Sequence, residues 1–469
     1  MTDLPLTITD AARALRAGSI TSVELTEGTI ARADALDARL GAYITRTDDA
    51  ALAAATQADA DFEAGVDRGP LQGIPLGVKD IIATKDAPTT AQSLILDREW
   101  GAGRDAVVVQ RLREAGAVIT GKAATLEFAI GIADDQKPFP IHRNPWDTDR
   151  WPGGSSAGTG AGVAAGLFLG GLGTDTGGSI RIPAAFCGVS GLKQTYGRVP
   201  KSGCAPLGYS LDHIGPLARS AADCALMLQV MAGYDASDPT SVDLPVPDYA
   251  SALTGSLEGV RIGVEREHHL GYAHAEPEAV AAFEASLRAL EEAGASLVEV
   301  SIPHYEEAAF ADLMVMVAEA GSYHMLDFRG RWDDYGRNLR KTLIWGMGFS
   351  AADYVQAQRV RTLAVKELAD VMTSVDVIVH PTALMGAPTV EMANTSSWAD
   401  WPIFTGYANA VGNPALSVPM GFSADLPVSL SIIGRPFEEA TVLRVGDAYQ
   451  RITDWHLQTP PIMAEVEAR

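Results

Sequence analysis

The chain has 469 residues, 47% of them hydrophobic, which is ample apolar material for a large buried core. Its formal net charge of −23 disfavours contact with phosphate backbones and anionic lipid, so we expect no nucleic-acid partner and no membrane partner. The three cysteines, Cys187, Cys204 and Cys224, fit no C-x-x-C spacing, which is typical of free thiols in a reducing compartment.

The N-terminal residues are polar and acidic and lack the apolar core of a signal peptide. The most apolar stretch, residues 160–173, is too short to span a bilayer and is typical of buried core. We therefore expect a cytoplasmic protein.

The first half of the chain predicts helices and short buried strands. Apolar residues at three- and four-residue spacing predict helix over 8–40 with a break near Gly18, and residues 48–62 form an alanine-rich helical stretch. The apolar run 73–80, "GIPLGVKD", predicts a buried strand that ends at Lys79 and Asp80. A helix over 105–115, a strand over 117–120 and a helix beginning after Ser156 follow.

In the second half, strands alternate with helices of 10 to 20 residues. This alternation predicts an α/β fold with a large mixed, mostly parallel central sheet covered by helices on both faces. Because no linker-like stretch interrupts it, residues 1–469 are predicted to form one domain. The predicted strands are 260–264, 296–302, 375–381, 414–420 and 428–434, and the predicted helices are 276–294, 351–372 and 437–453.

Two stretches imitate nucleotide-binding motifs. Residues 116–123, "GAVITGKA", approach a P-loop, but Ala123 has no hydroxyl for magnesium and the intervening residues are typical of a strand. Residues 160–165, "GAGVAA", lack the preceding strand that a dinucleotide fingerprint requires. We therefore predict no nucleotide cofactor from either stretch.

Lys79, Ser155 in "WPGGSSAG" and Ser179 in "TDTGGSIR" carry the candidate chemistry. Taken singly, a strand-end lysine is usually solvated and such serines are usually turn or cap residues. A serine hydroxyl needs a base to become a nucleophile, and serine–lysine machinery is a known arrangement. The lysine must then be neutral, which burial at the end of an apolar strand favours.

Residues 151–187, "WPGGSSAGTGAGVAAGLFLGGLGTDTGGSIRIPAAFC", closely resemble the signature region of the amidase signature family. The resemblance extends over nearly the whole chain, including "GIPLGVKD", "GLKQTYGRVP", "SLDHIGPLARS" and "ANAVGNPALSVPMGF". It implies the amidase signature fold, with a signature core over about 70–220 and substrate-pocket segments over about 300–405. It also implies hydrolysis of a carbon–nitrogen bond. His268, His269 and His274 fall in one stretch, but no cysteine or H-E-x-x-H pattern accompanies them, so we expect no metal site there, and we expect no cofactor.

The resemblance implies a Ser-Ser-Lys triad. Ser179 would be the nucleophile that forms an acyl-enzyme, and Ser155 a bridging serine on a non-proline cis peptide bond. Lys79 would be the general base, acting through Ser155. The backbone N–H groups of Thr176, Gly177, Gly178 and Ser179 would form the oxyanion hole.

Four further residues match family positions that we assign to support. Asp175 and Arg181 are predicted to hold the shape of the loop by an ion pair or backbone contacts. Ser156 and Thr174 are predicted to be supporting hydroxyls that do not touch the substrate.

The family includes free-standing amidases and the glutaminase subunit of the tRNA-dependent amidotransferase. Arg361 resembles the arginine that holds the glutamine carboxylate in that subunit, but Pro402 stands where the glutaminase pattern has an aspartate for the amino group. "YSLDHIGP" is the form that we associate with free-standing amidases. The motifs thus favour a free-standing amidase, and the alternative is the glutaminase subunit.

Aromatic and methionine residues are frequent in the pocket segments, which favours a hydrophobic or aryl amide substrate over a charged one. A carbamate or an ester is equally open to attack by the same triad. The sequence leaves a homodimer open. The residues in question are Phe310, Met314, Met316, Trp332, Tyr335, Trp345, Met347, Phe349, Trp398 and Trp401.

Overall fold

The computed structural model describes residues 4–272, 274–395 and 401–467. Its helices are α1 (Ile8–Arg16), α2 (Ser22–Leu40), α3 (Asp48–Glu63), α4 (Val107–Glu114), α5 (Ala157–Ala164), α6 (Arg181–Cys187), α7 (Ala221–Met231), α8 (Pro277–Glu292), α9 (Tyr305–Phe328), α10 (Arg337–Met347), α11 (Ala351–Val371), α12 (Val390–Thr395), α13 (Gly406–Val411), α14 (Glu439–Ile452) and α15 (Pro461–Glu467). Its strands are β1 (Tyr43–Arg46), β2 (Pro75–Lys79), β3 (Val118–Ala123), β4 (Gly170–Asp175), β5 (Ser190–Lys193), β6 (His213–Ala218), β7 (Arg261–Glu265), β8 (Ser296–Val300), β9 (Val377–Pro381), β10 (Ala415–Ser423) and β11 (Leu426–Gly434).

The strands of the described ranges form one eleven-stranded sheet, in the order β1-β3-β2-β4-β6-β5-β10-β11-β9-β7-β8. The predicted large mixed sheet is confirmed, but its parallel share is smaller than predicted. Four neighbouring pairs are parallel, in the runs β3-β2-β4 and β9-β7-β8, and the other six are antiparallel. Some connections, such as that from β4 to β6, bring the chain back antiparallel to an earlier strand. The alternation of strands and helices in the sequence does not encode strand direction, so it could not predict these pairs.

One antiparallel pair is a tight hairpin. The turn between β10 and β11 consists of Ala424 and Asp425, both with positive φ angles of 46° and 63°. Two residues with positive φ match the twist of the flanking strands. The sequence pattern predicts both strands but not this pairing.

Apolar side chains pack against both faces of the sheet. On β6, Leu217 belongs to the buried cluster that includes residues of α2, α5 and α6, whereas its neighbour Ala218 belongs to the cluster that includes α1, α7 and α14. Successive side chains of a strand point to opposite faces, so the two clusters lie on opposite sides. Within the described ranges, no helix has the length and apolar character that a membrane crossing requires.

The predicted helix break near Gly18 is present between α1 and α2. Gly18 has a φ of +66°, and α2 then begins behind a capping box formed by Thr21 and Glu24. The two nucleotide-motif imitations also have the predicted structures, since residues 118–123 are β3 and residues 160–164 are the end of α5.

The register of the parallel strands brings two loops to one edge of the sheet. Strand β2 pairs with β4, with Val78 opposite Leu172, so the carboxyl ends of both strands meet at the same edge. Helix α5 packs closely on β4, where a Cβ on Gly171 would lie 2.7 Å from Thr159 Cγ2. The loop before α5 therefore ends beside the tips of β2 and β4.

Candidate active site

Lys79 is the last residue of β2 and is fully buried. Its Nζ lies 2.7 Å from Ser155 Oγ, 3.0 Å from Ser156 Oγ and 2.7 Å from Thr174 Oγ1. The structure thus brings the predicted lysine against the predicted bridging serine and both predicted supporting hydroxyls.

Burial lowers the pKa of Lys79 from its ordinary value of 10.5 to about 7. Among the described residues Lys79 forms no ion pair, and its polar contacts are neutral hydroxyl groups. Neutral hydroxyls do little to offset the cost of burying an ammonium charge, so a large fraction of the lysine is a neutral amine near neutral pH.

The hydrogen bonds around the neutral amine fix its orientation. Ser156 Oγ donates to the Thr174 carbonyl at 3.2 Å, so it can only accept from Lys79. A neutral amine has two hydrogens and one lone pair. If those hydrogens go to Ser156 and Thr174, the lone pair faces the Ser155 hydroxyl, which is the geometry that a base needs to take a proton from Ser155.

Ser155 follows a cis Gly154–Ser155 peptide bond, as the family resemblance implies. It lies in the wall of the cavity described below, together with Ser179. Ser179 does not cap the helix that follows it, because α6 begins at Arg181 and makes no side-chain cap bond. The capping alternative for Ser179 is therefore excluded, and its hydroxyl is available to the cavity.

Asp175 organises the loop that carries Ser179. Arg181 donates from Nε and Nη2 to the two Asp175 oxygens, both at 3.0 Å, and both side chains are buried. Burial alone would raise the pKa of Asp175, but the Arg181 guanidinium holds it well below its ordinary value. The carboxylate also accepts the backbone N–H groups of Gly178 and Ile180. This agrees with the predicted ion pair.

Three of the four predicted oxyanion-hole donors are available. The backbone N–H groups of Thr176, Gly177 and Ser179 have no hydrogen-bond partner among the described residues. The N–H of Gly178 departs from the prediction, because it is donated to Asp175 Oδ1 at 2.8 Å. Gly178 instead provides the loop with a φ of +132°, which side chains disfavour.

A cavity of about 460 Å³ opens in front of the two serines. Its walls are mostly apolar, and its polar members are few. Of the aromatic and methionine residues expected from the sequence, Phe310, Met316 and Trp401 line it, while Trp398 lies outside the described residues. The apolar lining consists of Leu126, Ala129, Ile130, Ile132, Trp151, Ile182, Ala309, Phe310, Leu313, Met316, Trp401, Ile403 and Phe404.

Sequence reasoning missed two residues that hold the loop from the C-terminal side. Thr405 accepts Arg181 Nη1 through its carbonyl at 2.9 Å and donates its hydroxyl to the Gly177 carbonyl at 2.7 Å. Asn409 donates to Asp175 Oδ1 at 2.9 Å. Asn409 lies in "ANAVGNPALSVPMGF", one of the stretches that carry the resemblance, and Thr405 lies just before it, but neither position pointed to these contacts.

Sequence reasoning also missed Asp312 and Glu306, two carboxylates of α9 in the cavity wall. Neither belongs to a motif that predicts chemistry. Arg361, in contrast, is not among the lining residues. Its guanidinium donates to the Ala410 carbonyl at 2.9 Å and to Gln358 Oε1 at 2.8 Å.

Comparison with known proteins decides the family. The family model described as Amidase matches residues 24–443. The chain belongs to the amidase signature family. Membership of this family makes it a hydrolase of carbon–nitrogen bonds in amides.

Relatives within the amidase signature family include the A subunit of a glutamyl-tRNA(Gln) amidotransferase from Chloroflexus aggregans, 44% identical over 98% of this chain and 99% of that protein. The solved A subunit of the amidotransferase of the same name from Thermotoga maritima is 32% identical, with a TM-score of 0.81 and 96% of each chain covered. The peptide amidase from Stenotrophomonas maltophilia is 30% identical, with a TM-score of 0.84, covering 95% of this chain and 98% of the other.

These relatives correct the prediction of a free-standing amidase for hydrophobic or aryl amides, carbamates or esters. Proteins 39–44% identical over nearly the full length are amidotransferase A subunits, which favours the alternative reading. The prediction relied on a few motif positions such as Pro402. Single positions near a substrate change more readily than the whole chain does, so the full-length similarity outweighs them.

The exclusion of nucleic-acid partners was also wrong. It was inferred from the net charge of −23, whereas the relatives are subunits of an enzyme named for glutamyl-tRNA(Gln). The charge of one chain limits what that chain attracts over a distance, but it does not limit what a complex containing it binds.

Proposed function

We propose that the chain is the glutamine-hydrolysing subunit of a tRNA-dependent amidotransferase. The observation that carries this proposal is the 44% identity to an amidotransferase A subunit over 98% of this chain. In such a complex this chain releases ammonia from glutamine, and partner subunits use that ammonia on glutamyl-tRNA. The acidic surface of this chain is compatible with the proposal if the partners provide the basic contacts to tRNA.

The proposed reaction begins with the neutral Lys79 amine. It takes the Ser155 proton as Ser155 takes the proton of Ser179, so that Ser179 Oγ attacks the amide carbon of glutamine. The carbonyl oxygen becomes negative and accepts from the free N–H groups of Thr176, Gly177 and Ser179. The low-dielectric surroundings strengthen these bonds, since the site is buried.

Collapse of the tetrahedral intermediate breaks the carbon–nitrogen bond. The proton held by Lys79 returns through Ser155 to the leaving nitrogen, which departs as ammonia. Water then attacks the acyl-enzyme by the same route and releases glutamate and free Ser179. The net reaction consumes one water and one glutamine and leaves the triad unchanged.

The proposal is tested by co-expressing the chain with the other subunits of a tRNA-dependent amidotransferase and measuring ammonia release from glutamine. We expect stable co-purification and a glutaminase rate that rises in the complex. The Ser179→Ala complex, which should assemble equally well, is the matched control and should release no ammonia. A chain that purifies alone and hydrolyses glutamine no faster than the variant would refute the proposal.

A further inference from the structure

The carboxyl group of Asp312 lies in the cavity wall without a hydrogen-bond partner among the residues that the structure describes. Asp312 belongs to α9, is 2% exposed and lines the same cavity as Ser155 and Ser179. Its Oδ1 is buried with no hydrogen-bond partner, and among the described residues no hydrogen bond reaches either oxygen. A buried carboxyl group without hydrogen bonds is costly, so this arrangement points to a ligand that supplies them.

Two glycines leave room in front of this carboxyl group. A Cβ on Gly177 would lie 3.2 Å from Asp312 Oδ2, and a Cβ on Gly406 would lie 3.7 Å from the same atom. Neither glycine has a positive φ, so the backbone itself does not require glycine at either position. Gly177 is two residues from Ser179, which places the open space next to the proposed site of acyl transfer.

No basic side chain of the described residues forms an ion pair with Asp312. Arg181 is already bonded to Asp175, Thr405 and Asn409. Lys193 donates to the carbonyls of Asn413 and Gln194. Burial raises the pKa of Asp312 well above its ordinary value, and Arg361 opposes this rise only from a distance. Among the described residues no lysine or arginine lines the cavity, so we expect the positive group that would complete the site to come from the ligand.

We infer that Asp312 binds the ammonium group of the substrate and so selects amides that carry one. The inference rests on the proposed function in one respect, since in glutamine this group is the α-ammonium. Pro402 occupies the position where the glutaminase pattern has an aspartate for that group. Asp312 would supply the missing carboxylate from α9, on a different segment of the chain.

Four amides separate the contribution of each group. L-Glutamine carries both the ammonium and the carboxylate, 4-aminobutanamide only the ammonium, glutaramate only the carboxylate, and butanamide neither. Binding is measured by saturation-transfer NMR on the Ser179→Ala variant, which cannot turn the amides over. We expect 4-aminobutanamide to bind more tightly than butanamide, and L-glutamine more tightly than glutaramate.

Asp312→Asn, added to Ser179→Ala, keeps the shape of the side chain and removes its charge. We expect both preferences to fall by about 30-fold or more, to near unity. Glu306→Gln is the matched control, because Glu306 is an exposed carboxylate of α9 in the same cavity wall. It should leave both preferences in place. Gly406→Ala, which narrows the space without touching the charge, should weaken the ammonium-bearing amides selectively.

The inference is overturned if the Asp312→Asn variant, shown to be folded by its circular dichroism spectrum, keeps the preference for ammonium-bearing amides. It is also overturned if Glu306→Gln removes that preference instead. Failure of the proposed function gives a different result, namely no ammonia release from glutamine by the complex. An Asp312-dependent preference for 4-aminobutanamide would then still assign the ammonium site, for a different amide.

Discussion

Lys79 Nζ lies 2.7 Å from Ser155 Oγ, and the lysine is buried among hydroxyl groups, with no carboxylate of the described residues in contact. A lysine that is to accept a proton must first lose one, and this environment favours the neutral form. The protonation state of Lys79 should therefore make both the rate of amide hydrolysis and the free energy of unfolding depend on pH. The two effects can be measured separately.

The rate of acylation should follow the titration of Lys79. Burial lowers its pKa to about 7, and only the neutral amine can act as a base, so kcat/KM should be low in acid and rise through half its maximum near pH 7. The measurement is the pH profile of amide hydrolysis between pH 5 and 9, in steps of about half a unit. Lys79→Arg keeps a positive charge that cannot be lost, and it should abolish the rising limb. A pH-independent rate over this range would exclude Lys79 as the base.

Lys79 should also make stability depend on pH. Its folded pKa of about 7 lies below the ordinary value of 10.5, so unfolding takes up a proton between these values. The free energy of unfolding of the wild type should therefore rise with pH across this window, by up to about 1.4 kcal/mol per pH unit from this group. Lys79→Met removes the group and should flatten the slope by that amount in urea titrations at pH 7, 8 and 9. Equal slopes in the two proteins would show that the lysine is charged when folded.

The three serine hydroxyl groups of the site should differ in importance. Ser179→Ala and Ser155→Ala remove the proposed nucleophile and proton bridge, so each should lower kcat by about 10³-fold or more. Ser156→Ala removes an acceptor of Lys79 and a donor to the Thr174 carbonyl, but neither the nucleophile nor the proton bridge, and should lower kcat by a smaller factor of about 10. The measurement is turnover of one amide together with labelling by a fluorophosphonate. Ser156→Ala should still be labelled, whereas labelling of Ser179→Ala at another serine would contradict the assignment.

The buried ion pair of Asp175 and Arg181, which holds the loop of Ser179, should contribute to the free energy of unfolding. Asp175→Asn or Arg181→Met leaves a buried charge without its partner, so each should lower the free energy of unfolding by about 3–5 kcal/mol. The double variant should lose less than the sum of the two, since it leaves neither charge behind. Urea unfolding of the four proteins measures the coupling. Additive losses would mean that the pair does not act as a unit.

Much of this protein was predictable from the order of its residues alone. Periodicity located α1, α2 and α3 and the strand that ends at Lys79, since a helix and a strand each repeat over a few neighbouring residues. The signature "GGSSAG" through "TDTGGSIR" predicted the family together with Ser155 and Ser179, and the separate stretch "GIPLGVKD" added Lys79. These features are local or lie in one contiguous motif, and they depend little on what packs against them.

Only the tertiary structure decided the directions of the strands and the partners of the buried charges. The antiparallel central pairs form between segments that are distant in the chain. The hydrogen bonds from Thr405 and Asn409 to the loop of Ser179 also join distant segments. The same holds for Asp312, whose sequence context on α9 is that of any helical aspartate. It becomes a candidate ligand-binding group because Gly177 and Gly406, 135 residues before it and 94 after it in the chain, leave the space in front of its carboxyl group open. The burial of Asp312 and its lack of a hydrogen-bond partner among the described residues arise only when distant segments pack together, so no local sequence pattern could have predicted them.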